Sequence, residues 1–152
     1  MKNQMIKGLT MLMVVMAVAF GTALVSAKGQ STGRVMSNIP FEFVVGDKAL
    51  PAGEYQISSV TASGEVLLIR NTEARDLAVR LSNRLEPQTN KTQARLVFHR
   101  YGQSYFLAEV WAGGDSTGRQ LLQSKRESSM RREYRATAKN SYESVEVVAM
   151  VR

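Results

Sequence analysis

The chain has 152 residues, a net charge of +7 and no cysteine, which excludes a thiolate nucleophile, a disulfide frame and any Cys-based metal or redox centre. Its one histidine, His99, excludes two- and three-histidine metal sites unless several chains contribute ligands. The charge is unevenly placed: seven basic residues (Arg119, Lys125, Arg126, Arg131, Arg132, Arg135 and Lys139) stand against two acids, Glu127 and Glu133, between positions 119 and 139, and the whole basic excess of the chain after residue 27 lies in that segment.

Residues 1–27 have the three-part layout of a secretory signal peptide. Lys2 and Lys7 supply the charged start, Leu9 to Val25 an apolar stretch interrupted only by Thr10, Gly21 and Thr22, and Val25-Ser26-Ala27 a small-residue cleavage site. The expectation is an exported protein, periplasmic or secreted, that begins at Lys28. The alternative is a retained N-terminal membrane anchor, although the apolar stretch is a little short of the ~18 residues expected of a spanning helix. The remaining chain, about 125 residues, suits one domain able to bury a core.

Residues 28–34 read as a flexible mature N-terminus and 35–152 as a single β domain. Val35 to Val45 is strand-like but broken at Pro40, which cannot donate to a ladder. Gly46-Asp47-Lys48 and Pro51-Ala52-Gly53 are turns. Glu54 to Val60 alternates, with Tyr55 and Ile57 on one face. Val66 to Arg70 is a strand, turned at Asn71-Thr72-Glu73, and Asp76 to Leu81 is a weaker one. Asn83 to Gln93, with Pro87, reads as a polar loop.

The clearest element is a hairpin, Arg95 to Tyr101 and Ser104 to Trp111, joined at Gly102-Gln103. A two-residue loop sets Phe98 opposite Leu107, His99 opposite Phe106 and Arg100 opposite Tyr105. Both faces are apolar, so the hairpin is expected to be covered on both sides. From Arg119 to Ala138 there is no Gly, Pro, Val or Ile, which predicts a helix over 119–138, capped by Ser116 or Thr117. Helical winding puts Leu122, Met130, Tyr134 and Ala138 in one stripe, with Arg126 within it, and collects Lys125, Arg131, Arg132, Arg135 and Lys139 on the opposite side. Glu127 and Arg131, four apart, form an expected surface pair. Val145 to Val151 is a last strand. The fold class is therefore all-β: a sandwich or small up-and-down barrel of about seven strands, with one helix before the last strand.

The words Ile39-Pro-Phe-Glu-Phe-Val-Val-Gly-Asp-Lys-Ala-Leu-Pro-Ala-Gly-Glu-Tyr55, Leu96-Val-Phe-His-Arg-Tyr-Gly102 and Tyr105-Phe-Leu-Ala-Glu-Val-Trp111 resemble a group of small exported bacterial proteins of unknown function. The resemblance implies an envelope or secreted location and supplies no activity, ligand or catalytic residue. Lipocalins share the order of strands, helix and last strand. Their early Gly-x-Trp word is missing, since the only tryptophan is Trp111, so that likeness concerns architecture alone.

Gly113-Gly-Asp-Ser-Thr-Gly118, followed by Arg119 and Gln120, has the outline of a phosphate-binding loop, but Lys and Ser or Thr are required where Arg119 and Gln120 stand; a flexible loop leading into a helix is expected. His99 as a general base needs a group to orient it, and its strand neighbours Phe98 and Phe106 offer none, so a half-buried histidine bonded to backbone is expected. Arg100, beside Tyr101 and Tyr105, is expected to make a cation–π or a rim contact. Glu42 and Glu109 lie in strands among apolar residues, and nothing sets the separation that glycoside hydrolysis needs. No catalytic residue, metal ligand or cofactor is assigned. The functional expectation is a non-enzymatic exported β domain that binds an anionic envelope component through Lys125, Arg131, Arg132, Arg135 and Lys139. Nucleic acid is not expected as a partner, because no aromatic ladder accompanies the charges. The alternative is a lipocalin-like carrier of a small apolar ligand, followed by a hydrolase using Glu42, Glu109 or His99.

Overall fold

The computed structural model describes residues 33–88, 92–114, 117–137 and 142–152. The expected export signal 1–27, most of the expected loose start 28–34, the candidate cap Ser116, Ala138 and the candidate contact Lys139 lie outside the described residues.

Proline breaks the first run as its missing N–H dictates: β1 spans Val35–Ile39 and β2 spans Phe43–Val45, with Pro40 between them. A turn at Gly46-Asp47 returns the chain as β3, Lys48–Leu50, antiparallel to β2. The meander β4 (Gly53–Ser59), β5 (Val66–Asn71) and β6 (Leu77–Leu85) follows. Next come the expected hairpin, β7 (Arg95–Tyr101) and β8 (Ser104–Trp111), a short β9 (Gly118–Leu121) and the helix α1 (Lys125–Thr137). The last strand is interrupted at Ala149 into β10 (Glu143–Val148) and β11 (Met150–Val151).

The class is all-β with one described helix. The strands number eleven among the described residues, not about seven, and form one mixed sheet ordered β10-β7-β8-β9-β6-β5-β4-β1-β11, with β2 attached beside β8 and β3 beside β2. The parallel element is the Val44–Phe106 bridge of β2 to β8. The extra strands come from the breaks at Pro40 and Ala149 and from segments whose local sequence reads as turn, loop or helix.

Long-range pairing changes the local expectations. Asn83 to Leu85 is strand rather than loop, because it pairs with β9: Asn83 faces Gln120 and Leu85 faces Gly118. The same ladder overrides the helix propensity of residues 119–121, so the helix starts at Lys125 and not at Arg119. Its cap is Ser124 rather than Ser116 or Thr117. The Ser124 hydroxyl accepts from the Glu127 N–H at 3.1 Å, satisfying one of the orphan donors of the first turn. Leu122 consequently leaves the expected helical stripe and is exposed. The glycine-rich segment after Trp111 joins two strands and does not lead into a helix. Gly113 has a positive φ of 81°, and a Cβ there would meet the Thr92 carbonyl at 2.8 Å, so its role is a close backbone approach. Gly118 likewise leaves room for the Trp111 ring.

The main core holds Ile39, Phe43, Leu50, Tyr55, Ile57, Ile69, Leu96 and Phe98, all essentially inaccessible. The alternation expected for Tyr55 and Ile57 is present. Phe43 meets Tyr55 and Phe98 edge-on, with ring centroids 5.0 and 5.5 Å apart. The hairpin has the expected pairs Phe98–Leu107, His99–Phe106 and Arg100–Tyr105, and its register shifts by one residue at Val97, which faces Glu109. This irregularity puts Val110, in place of Glu109, opposite Leu96, so that it joins Phe98 and Leu107 in the core. Trp111 pairs with Arg95, whose guanidinium lies 4.7 Å from the ring centroid. The other side of the hairpin carries a smaller cluster, Val44, Tyr101 and Phe106, packed against Met130 and Tyr134 of α1. The helix thus supplies part of the apolar cover expected on both sides.

Candidate functional site

A cluster of polar side chains lies where α1 meets the hairpin. Strand β7 sends His99 and Tyr101 toward the helix, and the first turn of α1 sends back Glu127. His99 Nδ1 lies 3.0 Å from Glu127 Oε1, and the Tyr101 hydroxyl donates to the same oxygen at 3.4 Å. A carboxylate oxygen accepts, which assigns the proton to Nδ1 and leaves Nε2 as the second ring nitrogen. The Tyr142 ring lies 4.0 Å from the imidazole, centroid to centroid. Glu127 and Tyr101 are buried.

The local sequence explains the reach of Glu127. Ser124-Lys125-Arg126-Glu127 has the spacing of a capping box, in which the fourth residue normally folds back on the first N–H. Here the serine half of the motif is made, while the glutamate side chain turns to His99 and Tyr101. The expectation that His99 has no polar partner beyond backbone is therefore overturned. Its partner comes from an element 28 residues further along the chain, invisible to strand-neighbour reasoning. The Ser-x-x-Glu spacing is the signal that sequence reasoning missed. The expected surface pair of Glu127 with Arg131 is also replaced, since no ion pair joins them among the described residues.

A cavity of about 270 Å³ opens beside this cluster, lined in part by Asn83, His99, Gln120, Glu127, Arg131 and Tyr142. Arg131 is half-buried and belongs to this lining, a correction to its place on the outer basic face. The reason is rotational: Glu127 and Arg131 are one helical turn apart and share a side. Lys125, Arg132 and Arg135 are exposed, and so is Arg126, in place of its expected position within the apolar stripe. Among the described residues no ion pair engages these four.

The other candidates stay apart. Glu42 is exposed between β1 and β2, while Glu109 accepts from the Trp111 indole N–H at 2.8 Å; among the described residues no contact joins the two carboxylates. Arg100 stacks on Tyr105 at 5.5 Å as expected and also meets Glu143 at 3.3 Å. Among the described residues no group of three or more His, Asp or Glu side chains could hold a metal ion, and no helix is long and apolar enough to cross a membrane.

No family model, curated protein or solved structure matches this chain.

Burial, reinforced by the neighbouring Glu127 carboxylate, pushes the Tyr101 phenol up to about 12, against a partial counter-effect of Arg131. An unfolded tyrosine ionises near pH ~10, so the folded state holds this proton longer. The resulting stabilisation is fully present below about pH 10 and is lost as pH rises through about 12, on the order of 2–3 kcal/mol. Denaturant unfolding across that window is expected to show a steep fall in stability, shallower in Tyr101→Phe. An equally steep fall in the variant would exclude Tyr101 as its source. Burial also raises Tyr55, so part of the fall remains.

Proposed function

We propose that this chain is an exported, non-enzymatic β domain that binds an anionic component of a bacterial cell envelope through the outer face of α1. The observation that supports it is the division of labour on the helix. Glu127, Met130, Arg131 and Tyr134 turn toward the sheet, and Lys125, Arg126, Arg132 and Arg135 stand in solvent with no acidic partner among the described residues. A cationic face held rigid by a buried anchor presents its charges in fixed array, which favours a polyanionic partner. The His99–Glu127 pair serves in this reading as that anchor.

A closed barrel belongs to the same proposal. Its support is that β10 pairs with β7 at one end of the sheet order while β11, one residue later, pairs with β1 at the other. The carrier reading has less support: the space an apolar ligand would take is occupied by the edge-on rings of Phe43, Tyr55 and Phe98.

The test is charge reversal. The triple variant Lys125→Glu, Arg132→Glu, Arg135→Glu is expected to lose binding to an immobilised anionic polysaccharide, and wild-type binding should fall steeply with added salt. Stability should change by less than about 1 kcal/mol, as for exposed charges generally. Absence of wild-type binding at low salt to anionic polysaccharide and to anionic vesicles alike would overturn the proposal.

A further inference from the structure

Strand β6 alternates in exposure but inverts the usual polarity, with its large aliphatic residues outward. Its large aliphatic residues, Leu77, Val79 and Leu81, are 48%, 53% and 55% exposed, whereas the small Ala78 and Ser82 are buried. The register that causes this is held by polar turns. The Asn71 side-chain oxygen accepts from the N–H groups of Glu73 and Ala74 at 2.9 and 2.8 Å, and the Asn71 N–H donates to the Asp76 carbonyl. At the other end the Ser82 hydroxyl donates to the Gly64 and Glu65 carbonyls, each at 3.2 Å. A slip of one residue would turn every side chain of the strand over, so these contacts hold the aliphatic row outward.

The row is part of a wider patch. On β5, Val66 lies opposite Leu81 and Leu68 opposite Val79, and Leu122, 42% exposed, lines a groove with Val66, Val79 and Leu81. Contiguous apolar surface of this kind marks an interaction site. Its surroundings are basic. Arg70 lies opposite Leu77, Arg80 donates to the Leu122 carbonyl at 3.0 Å, and Arg119 lines an adjoining groove with Leu81 and Leu122. Lys125 and Arg126 follow Leu122 by three and four residues. Among the acids, Glu65 lies in the adjoining groove, Asp76 is paired with Lys48 at 3.7 Å, and Glu73 is exposed in the turn between β5 and β6.

We infer that this patch and the start of α1 together dock on an anionic lipid bilayer, the aliphatic side chains entering the interface and the cations meeting the headgroups. Aliphatic surface flanked by basic side chains fits such a membrane surface. A second copy would bring the same basic rim against itself. The inference rests on the proposed anionic partner and names it.

The test uses the full chain and its variants in parallel, with vesicles of phosphatidylcholine alone, vesicles containing phosphatidylglycerol, and a soluble anionic polysaccharide. Wild type is expected to prefer the phosphatidylglycerol vesicles, and equal binding to both kinds would overturn the role of the cations. Val79→Thr with Leu81→Thr removes aliphatic surface without changing charge, and an unchanged thermal midpoint shows that the fold is kept. Binding to the phosphatidylglycerol vesicles is expected to fall about tenfold or more in this variant, with polysaccharide binding unchanged. Equal vesicle binding by wild type and variant would overturn the inference, and retained charge-dependent polysaccharide binding would leave the proposed function standing. Absence of both kinds of binding in the wild type would remove the two together. Self-association of the wild type that the Thr variant abolishes would assign the patch to a second copy instead.

Discussion

Phe98→Ala is expected to destabilise the domain by about 3–5 kcal/mol, the usual range for removing a large core aromatic. Phe98 is completely inaccessible. Its ring meets Phe41 and Phe43 edge-on at 5.2 and 5.5 Å, and its strand is flanked by β8 and β10. Both neighbours restrict collapse of the backbone into the vacated space, so the cavity persists and the loss lies toward the upper part of the range. Equilibrium unfolding in urea measures it. A loss below about 1 kcal/mol would be that of a surface site and would contradict the packing around the hairpin.

Glu127→Ala is expected to cost about 2–4 kcal/mol, since it removes the shared acceptor of His99 and Tyr101 and leaves buried polar groups unpaired. The change also deprives α1 of its polar link to β7. Helical circular dichroism should therefore fall before the β signal during unfolding, whereas the two coincide in the wild type. Glu127→Gln keeps an acceptor oxygen and should lose less. Equal stability of wild type and Glu127→Ala would show that Met130 and Tyr134 hold the helix without help.

Local patterns make the β class legible. Pro40 announces the first break, the alternation of Tyr55 and Ile57 their inward face, and Gly102-Gln103 the hairpin register as far as Phe98. Local patterns fail where distant pairing decides. Residues 119–121 have helix-forming side chains, yet the ladder to β6 makes them strand. The register shift at Val97 leaves no signature in residue type. The candidate site is legible only as charge: the exposure of Lys125, Arg132 and Arg135 agrees with the sequence pattern, but Arg131 turns inward because Glu127 is drawn to His99. Strand β6 is legible as a strand, while its outward aliphatic row follows from turn hydrogen bonds rather than from hydrophobicity.

Ala149 has a consequence for the order of folding. Its N–H donates to the Ala94 carbonyl at 2.9 Å, and on either side of it the chain passes from pairing with β7 to pairing with β1. Val35 is thus joined to Val151, nearly the longest sequence separation the described chain permits. Loop closure on that scale is slow. A chain emerging from a ribosome or a narrow pore leaves the outer edges of β1 and β7 without these partners until residues 143–151 are free. Completion of the sheet at both ends of its strand order is therefore a late event in folding.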